Sequence, residues 1–222
     1  MNRNEKFEIG NDPTLSLDIK ISKLYSGSQV TRALIGGVPW VGTYIDNVLT
    51  DKAQGFAQKR LEAYISELSA QVEELKLQSI AQDDEVIFDL FQSSLDKVAK
   101  TKSSEKIKRF ASLSASCLIG ECSWDETEAA LNLVNKLSDI QMEILKIAHQ
   151  SNGYILVEKI PTVLTSLTKS SSMLFCADLV SKGLLKDQGV SHFDTGAIEM
   201  LSSTELNDWF LKRVRSLSST ET

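Results

Sequence analysis

The sequence is poor in residues that break helices and in residues that hold metals. Three prolines in 222 residues leave room for long helices, because the ring clash and the missing N–H that proline brings are rare. There are two histidines, His149 and His192, and neither has cysteine, aspartate or glutamate at a spacing that completes a ligand set. Cys117, Cys122 and Cys176 are an odd number, and four residues separate the first two instead of the two of a zinc or redox pair. Free, buried thiols are the expectation. The longest charge-free run, Ala33 to Ile45, holds 13 residues, short of the about 20 that a spanning helix needs. Met1-Asn-Arg-Asn-Glu-Lys-Phe-Glu-Ile has no apolar run behind its charges, so the sequence reads as that of a cytoplasmic chain without a secretory signal. No GxSxG elbow, phosphate-binding P-loop, GxGxxG turn or HExxH helix occurs, which removes the local signatures of hydrolases, nucleotide enzymes and metalloproteases. The sequence therefore points to no metal, no cofactor and no catalytic residue.

What is present is ordinary soluble-protein composition: 42% hydrophobic and 24% charged residues, net charge −6 and a pI near 5.1. An acidic chain is not built wholly for nucleic acid. Leu15, Leu17, Ile19 and Ile21 alternate with Ser16, Asp18, Lys20 and Ser22, the period of a half-buried strand whose open edge needs a partner, either in the C-terminal region or in a second copy of the chain. From Asp51 to about Leu77 the apolar residues Ala57, Leu61, Tyr64, Ile65, Leu68, Val72 and Leu75 fall at helical spacing. A second helix is expected over Asp84 to Lys100. A third opens at Ser103 or Ser104 and stops at Gly120, and a fourth starts from the capping box Ser123-x-x-Glu126 and runs to Leu137. Short polar links make these an antiparallel bundle.

A second capping box, Ser138-x-x-Gln141, restarts the chain after a bend. Helices are expected from Asp139 to Gln150, around Ile160 to Leu167, and from a Ser170 to Ser172 cap to Lys182. A Gly183-Leu184-Leu185 strand, a turn at Asp187-Gln188-Gly189, a returning segment Ala197 to Leu201 and a last helix over Thr204 to Val214 follow. That is the element order of a winged helix-turn-helix. The expected fold class is mainly α: an arm with a short strand over residues 1–30, a helical bundle over 31–137 and a winged-helix-like module with a small sheet over 138–222.

Two surface features stand out. Lys97, Lys100, Lys102, Lys106, Lys108 and Arg109 form a basic run with only Glu105 inside it, suited either to an anionic surface or to a solvated face paired with neighbouring acids. The segment Gly36 to Tyr44, with Ile35, Val38, Trp40, Val41 and Tyr44, combines glycines with aromatics, as a buried hairpin or broken helix does, or a contact for a membrane or a protein partner. In the module, eight basic residues face ten acidic ones, a net −2, which disfavours duplex DNA and favours a protein partner.

The run Ile35-Gly36-Gly37-Val38-Pro39-Trp40-Val41-Gly42, the helix at Lys59-Arg60-Leu61-Glu62, Ser104-Glu105-Lys106-Ile107-Lys108-Arg109-Phe110-Ala111, and Leu137-Ser138-Asp139-Ile140-Gln141-Met142-Glu143-Ile144-Leu145 together resemble the abortive-infection alpha family of helical bacterial proteins. The resemblance spans roughly residues 30 to 215 and implies a non-enzymatic, cytoplasmic role in defence against phage, with no catalytic residue carried over. The alternatives left open are a winged-helix transcription regulator and an enzyme whose site converges only in three dimensions.

Overall fold

The computed structural model describes residues 51–74, 84–151, 153–189 and 198–214. Among them the chain is mainly helical, with eight helices and a small three-stranded antiparallel sheet. The Leu15 to Ile21 strand and the Gly36 to Tyr44 segment lie outside the described residues.

Helix α1 (Asp51–Glu74) turns Ala57, Leu61, Tyr64, Leu68 and Gln71 inward, alternating steps of four and three. Helix α2 (Asp84–Lys100) contributes Leu90, Phe91, Ser94 and Val98. Helix α3 (Ser104–Leu118) is the hub: it packs most extensively on α1, then on α4 (Trp124–Lys136) and α2. Its small residues Ala111, Ser112, Ser114 and Ala115 are all buried, and small side chains let neighbouring backbones come close. Tyr64 Oη donates to Ser114 Oγ at 2.7 Å, and Ser114 Oγ lies 3.2 Å from Ser94 Oγ, so one buried hydroxyl chain ties α1, α2 and α3. The ends follow local chemistry. Ser103 accepts from Lys106 N, and α3 stops where Gly120, at φ 77°, lets Gly120 N reach Cys117 O and Glu121 N reach Ser116 O.

Beyond the bend at Leu137–Ser138 comes α5 (Asp139–Gln150), opened by the expected Ser138–Gln141 capping box. Then follow β1 (Ile155–Leu156), a 3₁₀ turn (Val157–Lys159), α6 (Ile160–Val163), α7 (Lys169–Ser181), β2 (Leu185–Asp187), β3 (Met200–Ser203) and α8 (Glu205–Val214). The sheet order is β1-β3-β2, with Ile155 opposite Leu201 and Leu185 opposite Ser203.

Several details differ from the sequence expectation, among them β2, which starts at Leu185 and takes in Asp187 of the expected turn. The cap of α7 is Thr168, paired with Ser171, two residues before the serines expected to serve. Helix α6 is a single turn ending at Val163 and does not continue to Leu167. Strand β1 was not foreseen, because two residues show no alternation; its partner β3 also sits later than the Ala197 to Leu201 segment. A single apolar cluster runs from Leu61 and Tyr64 through Phe110 and Leu113 to Leu145, Leu201 and Phe210, so the interior continues across the Ser138 bend. Helix α8 packs on both α3 and α5. No helix among the described residues is long and apolar enough to cross a membrane.

Candidate functional site

Helix α7 is held on both ends and on its inner side. Thr168 Oγ1 accepts from Ser171 N while Thr168 N donates to Ser171 Oγ. At the far end Gly183, at φ 72°, lets Gly183 N bond Val180 O and Leu184 N bond Leu179 O. Ser172, Cys176 and Leu179 are buried, with Met173, Phe175 and Val180 packed partly against the core. The opposite side consists of Ser170, Leu174, Ala177 and Ser181, all exposed and again spaced by four, three and four. Leu174 is 68% exposed. Val163 on α6 and Tyr154 just before β1 are exposed as well.

That outer face carries no charge. Lys182 and Gln141 both donate to Asp178, and these two hydrogen bonds hold the Asp178 carboxyl below the usual carboxylate range. Lys182 is thus occupied within its own helix, and Lys169 at the N-terminal end is the one exposed cation of α7.

The basic run is divided by the fold. Arg109 points inward, 7% exposed, and its Nη1 donates to Asp139 Oδ1 at 2.7 Å. Asp139 also accepts from Ser103 Oγ at 2.6 Å. Burial pushes the Asp139 carboxyl up, but the Ser103 and Arg109 hydrogen bonds outweigh it and leave it below its ordinary value. Lys106 Nζ donates to Asn135 O and Lys97 Nζ to Ser93 Oγ; partial burial lowers both ammonium pKa values. Lys100 pairs with Asp96, and Lys108 with Glu105. Lys102 is exposed. The six residues do not share one open surface, and Asp96, just before the run, and Asp139, brought to it by the fold, join Glu105 in compensating it.

Other reactive groups are quiet. Burial raises the thiols of Cys117 and Cys122 and takes Cys176 to about 11, so all three are protonated near neutral pH. Burial likewise carries Tyr64 to about 12. His149 Nδ1 lies 2.8 Å from Asp208 Oδ1, and Ser203 Oγ donates to the same oxygen, so the serine and the histidine both bond the carboxylate, which joins α5, β3 and α8. No group of three or more His, Cys, Asp or Glu suited to a metal occurs among the described residues.

Sequence reasoning missed one place, a cleft between the α3–α4 turn and the end of α8, lined by Ser116, Glu121, Cys122, Lys212 and Arg213. Only the Trp209–Arg213 spacing, one helical turn, hinted at it. The chain matches no protein-family model, no curated protein and no solved structure.

Proposed function

We propose that the protein is a non-enzymatic, cytoplasmic interaction protein of bacterial phage defence or host response, acting through protein contacts made by a winged-helix-like module. The observation that carries this reading is the uncharged outer face of α7. In a winged helix the corresponding helix enters the major groove, where affinity rests on lysine and arginine at phosphates. Here that position offers Ser170, Leu174, Ala177 and Ser181. An exposed leucine among small residues suits the apolar groove or helix of a protein partner. The resemblance to the abortive-infection alpha family supports the defence setting, and the element order α5-α6-α7-β2-β3 with β1 beside β3 supports the winged-helix-like description.

That same topology favours a second reading, a DNA-binding regulator, with Lys169 and Lys186 among its exposed cations. One comparison separates the two. Tagged full-length protein and its Leu174→Glu variant are used to capture partners from cells with and without phage challenge, and both are run in gel shifts with duplex DNA at low and high salt. The proposal expects a protein captured by the wild type and lost with Leu174→Glu, and no shift. Equal capture by both forms removes α7 from the reading, and a salt-sensitive shift replaces it with the regulator.

A further inference from the structure

The last turn of α8 faces the α3–α4 turn across a cleft of about 290 Å³. The Arg213 side chain lining it is only 20% exposed, yet its charge is incompletely met. Its ion pair with Glu126 is 3.8 Å long, beyond hydrogen-bond distance. Glu126 is already committed to Ser123 in the capping box of α4. Arg213 Nε is buried without a hydrogen-bond partner. The Trp209 ring lies 4.7 Å from the guanidinium carbon, which fixes the plane of the group without supplying an oxygen. A guanidinium withdrawn from water calls for oxygen acceptors, since it has five N–H donors to satisfy. Lys212 is exposed on the same wall, and the Ser116 hydroxyl adds a further polar group. Cys122 bonds the Arg213 side chain through its sulfur, but burial raises its thiol pKa, so it supplies a neutral acceptor and not an anion.

We propose that this cleft binds a small monocarboxylate, with the carboxylate held by Arg213 and assisted by Lys212. The planar fork of a guanidinium matches the two oxygens of a carboxylate. The two cations share their surroundings with Glu121 on the wall and with Glu126, 3.8 Å from Arg213, so little net positive charge remains and a ligand of low charge fits better than a dianion. The volume lies at the small end for ligand pockets, which suits a small acid and not a nucleotide.

The test is a titration of the full chain with sodium benzoate and, separately, with sodium phosphate at constant ionic strength. It follows the Arg213 Nε–Hε resonance, assigned with Arg213→Lys. Benzoate is expected to shift that resonance saturably, and phosphate is not. Lys212→Gln, an exposed change that leaves the far-UV spectrum intact, is expected to weaken benzoate binding about two- to fivefold, the contribution of a solvent-facing ion pair. No saturable response to benzoate, saturation by phosphate at equal or lower concentration, or unchanged affinity in Lys212→Gln overturns the proposal.

Discussion

The ion pair beside the Ser138 bend is unevenly buried, and that asymmetry makes a sharp prediction. The Arg109 side chain is 8% exposed and that of Asp139 46%. Deleting one partner of a fully buried pair costs about 3–5 kcal/mol, and an exposed pair contributes about 0.2–1 kcal/mol. Asp139→Asn leaves a buried guanidinium facing a neutral amide, so a loss between these limits, about 1–3 kcal/mol, is expected. Arg109→Met fills the buried volume with an apolar chain and leaves Asp139 half in water, still bonded by Ser103, so its loss should be smaller, about 1 kcal/mol. The pH dependence follows from the depressed Asp139 pKa. A carboxyl whose folded pKa is lowered stabilises the fold fully above its unfolded value, here 3.8, and loses that effect as pH falls through the folded value. The gap between wild type and Asp139→Asn should therefore be constant from pH 7 to about 5 and shrink below about 4. Urea unfolding followed by far-UV circular dichroism at each pH measures it. An Arg109→Met loss equal to or larger than that of Asp139→Asn, or a gap that ignores pH, refutes the reasoning.

Two further outcomes follow from groups described above. Tyr64→Phe removes the 2.7 Å bond to Ser114 while Ser114 keeps Ser94, so a loss of about 1 kcal/mol in the same unfolding assay is expected, and no loss would show that the hydroxyl chain contributes nothing net. The three thiols should react slowly with a disulfide reagent in the native protein at neutral pH and fully in denaturant, and fast native labelling of Cys176 would contradict its burial.

Local chemistry was legible in the sequence where the physics is local. Ser123 with Glu126 and Ser138 with Gln141 announce their helices because both halves of each capping box sit three residues apart. Gly120 reads as a stop because few other residues take a positive φ cheaply. Thr168 was overlooked because its partner is Ser171, which completes the same box without the usual glutamate or glutamine. What depends on distant contacts was not legible. Arg109 looks like one of six surface cations until Asp139, thirty residues on, is brought to it by the turn of the chain. The cleft at Arg213 joins residues more than ninety positions apart, and no spacing rule reaches that far. The outer face of α7 lay between these cases: its apolar residues occur all around the helix, and only the fold decides that Leu174 is the large one left outside.

The contact of α8 with both α3 and α5 bears on how the protein would respond to being engaged. Phe210, Leu211 and Val214 are buried, so α8 is a shared rib between the hub helix and the sheet-bearing end. A tug on α7 would pass through α5, which packs on both α7 and α8, and so would be resisted by the hydrocarbon interior around α3 instead of swinging a loosely tethered appendage.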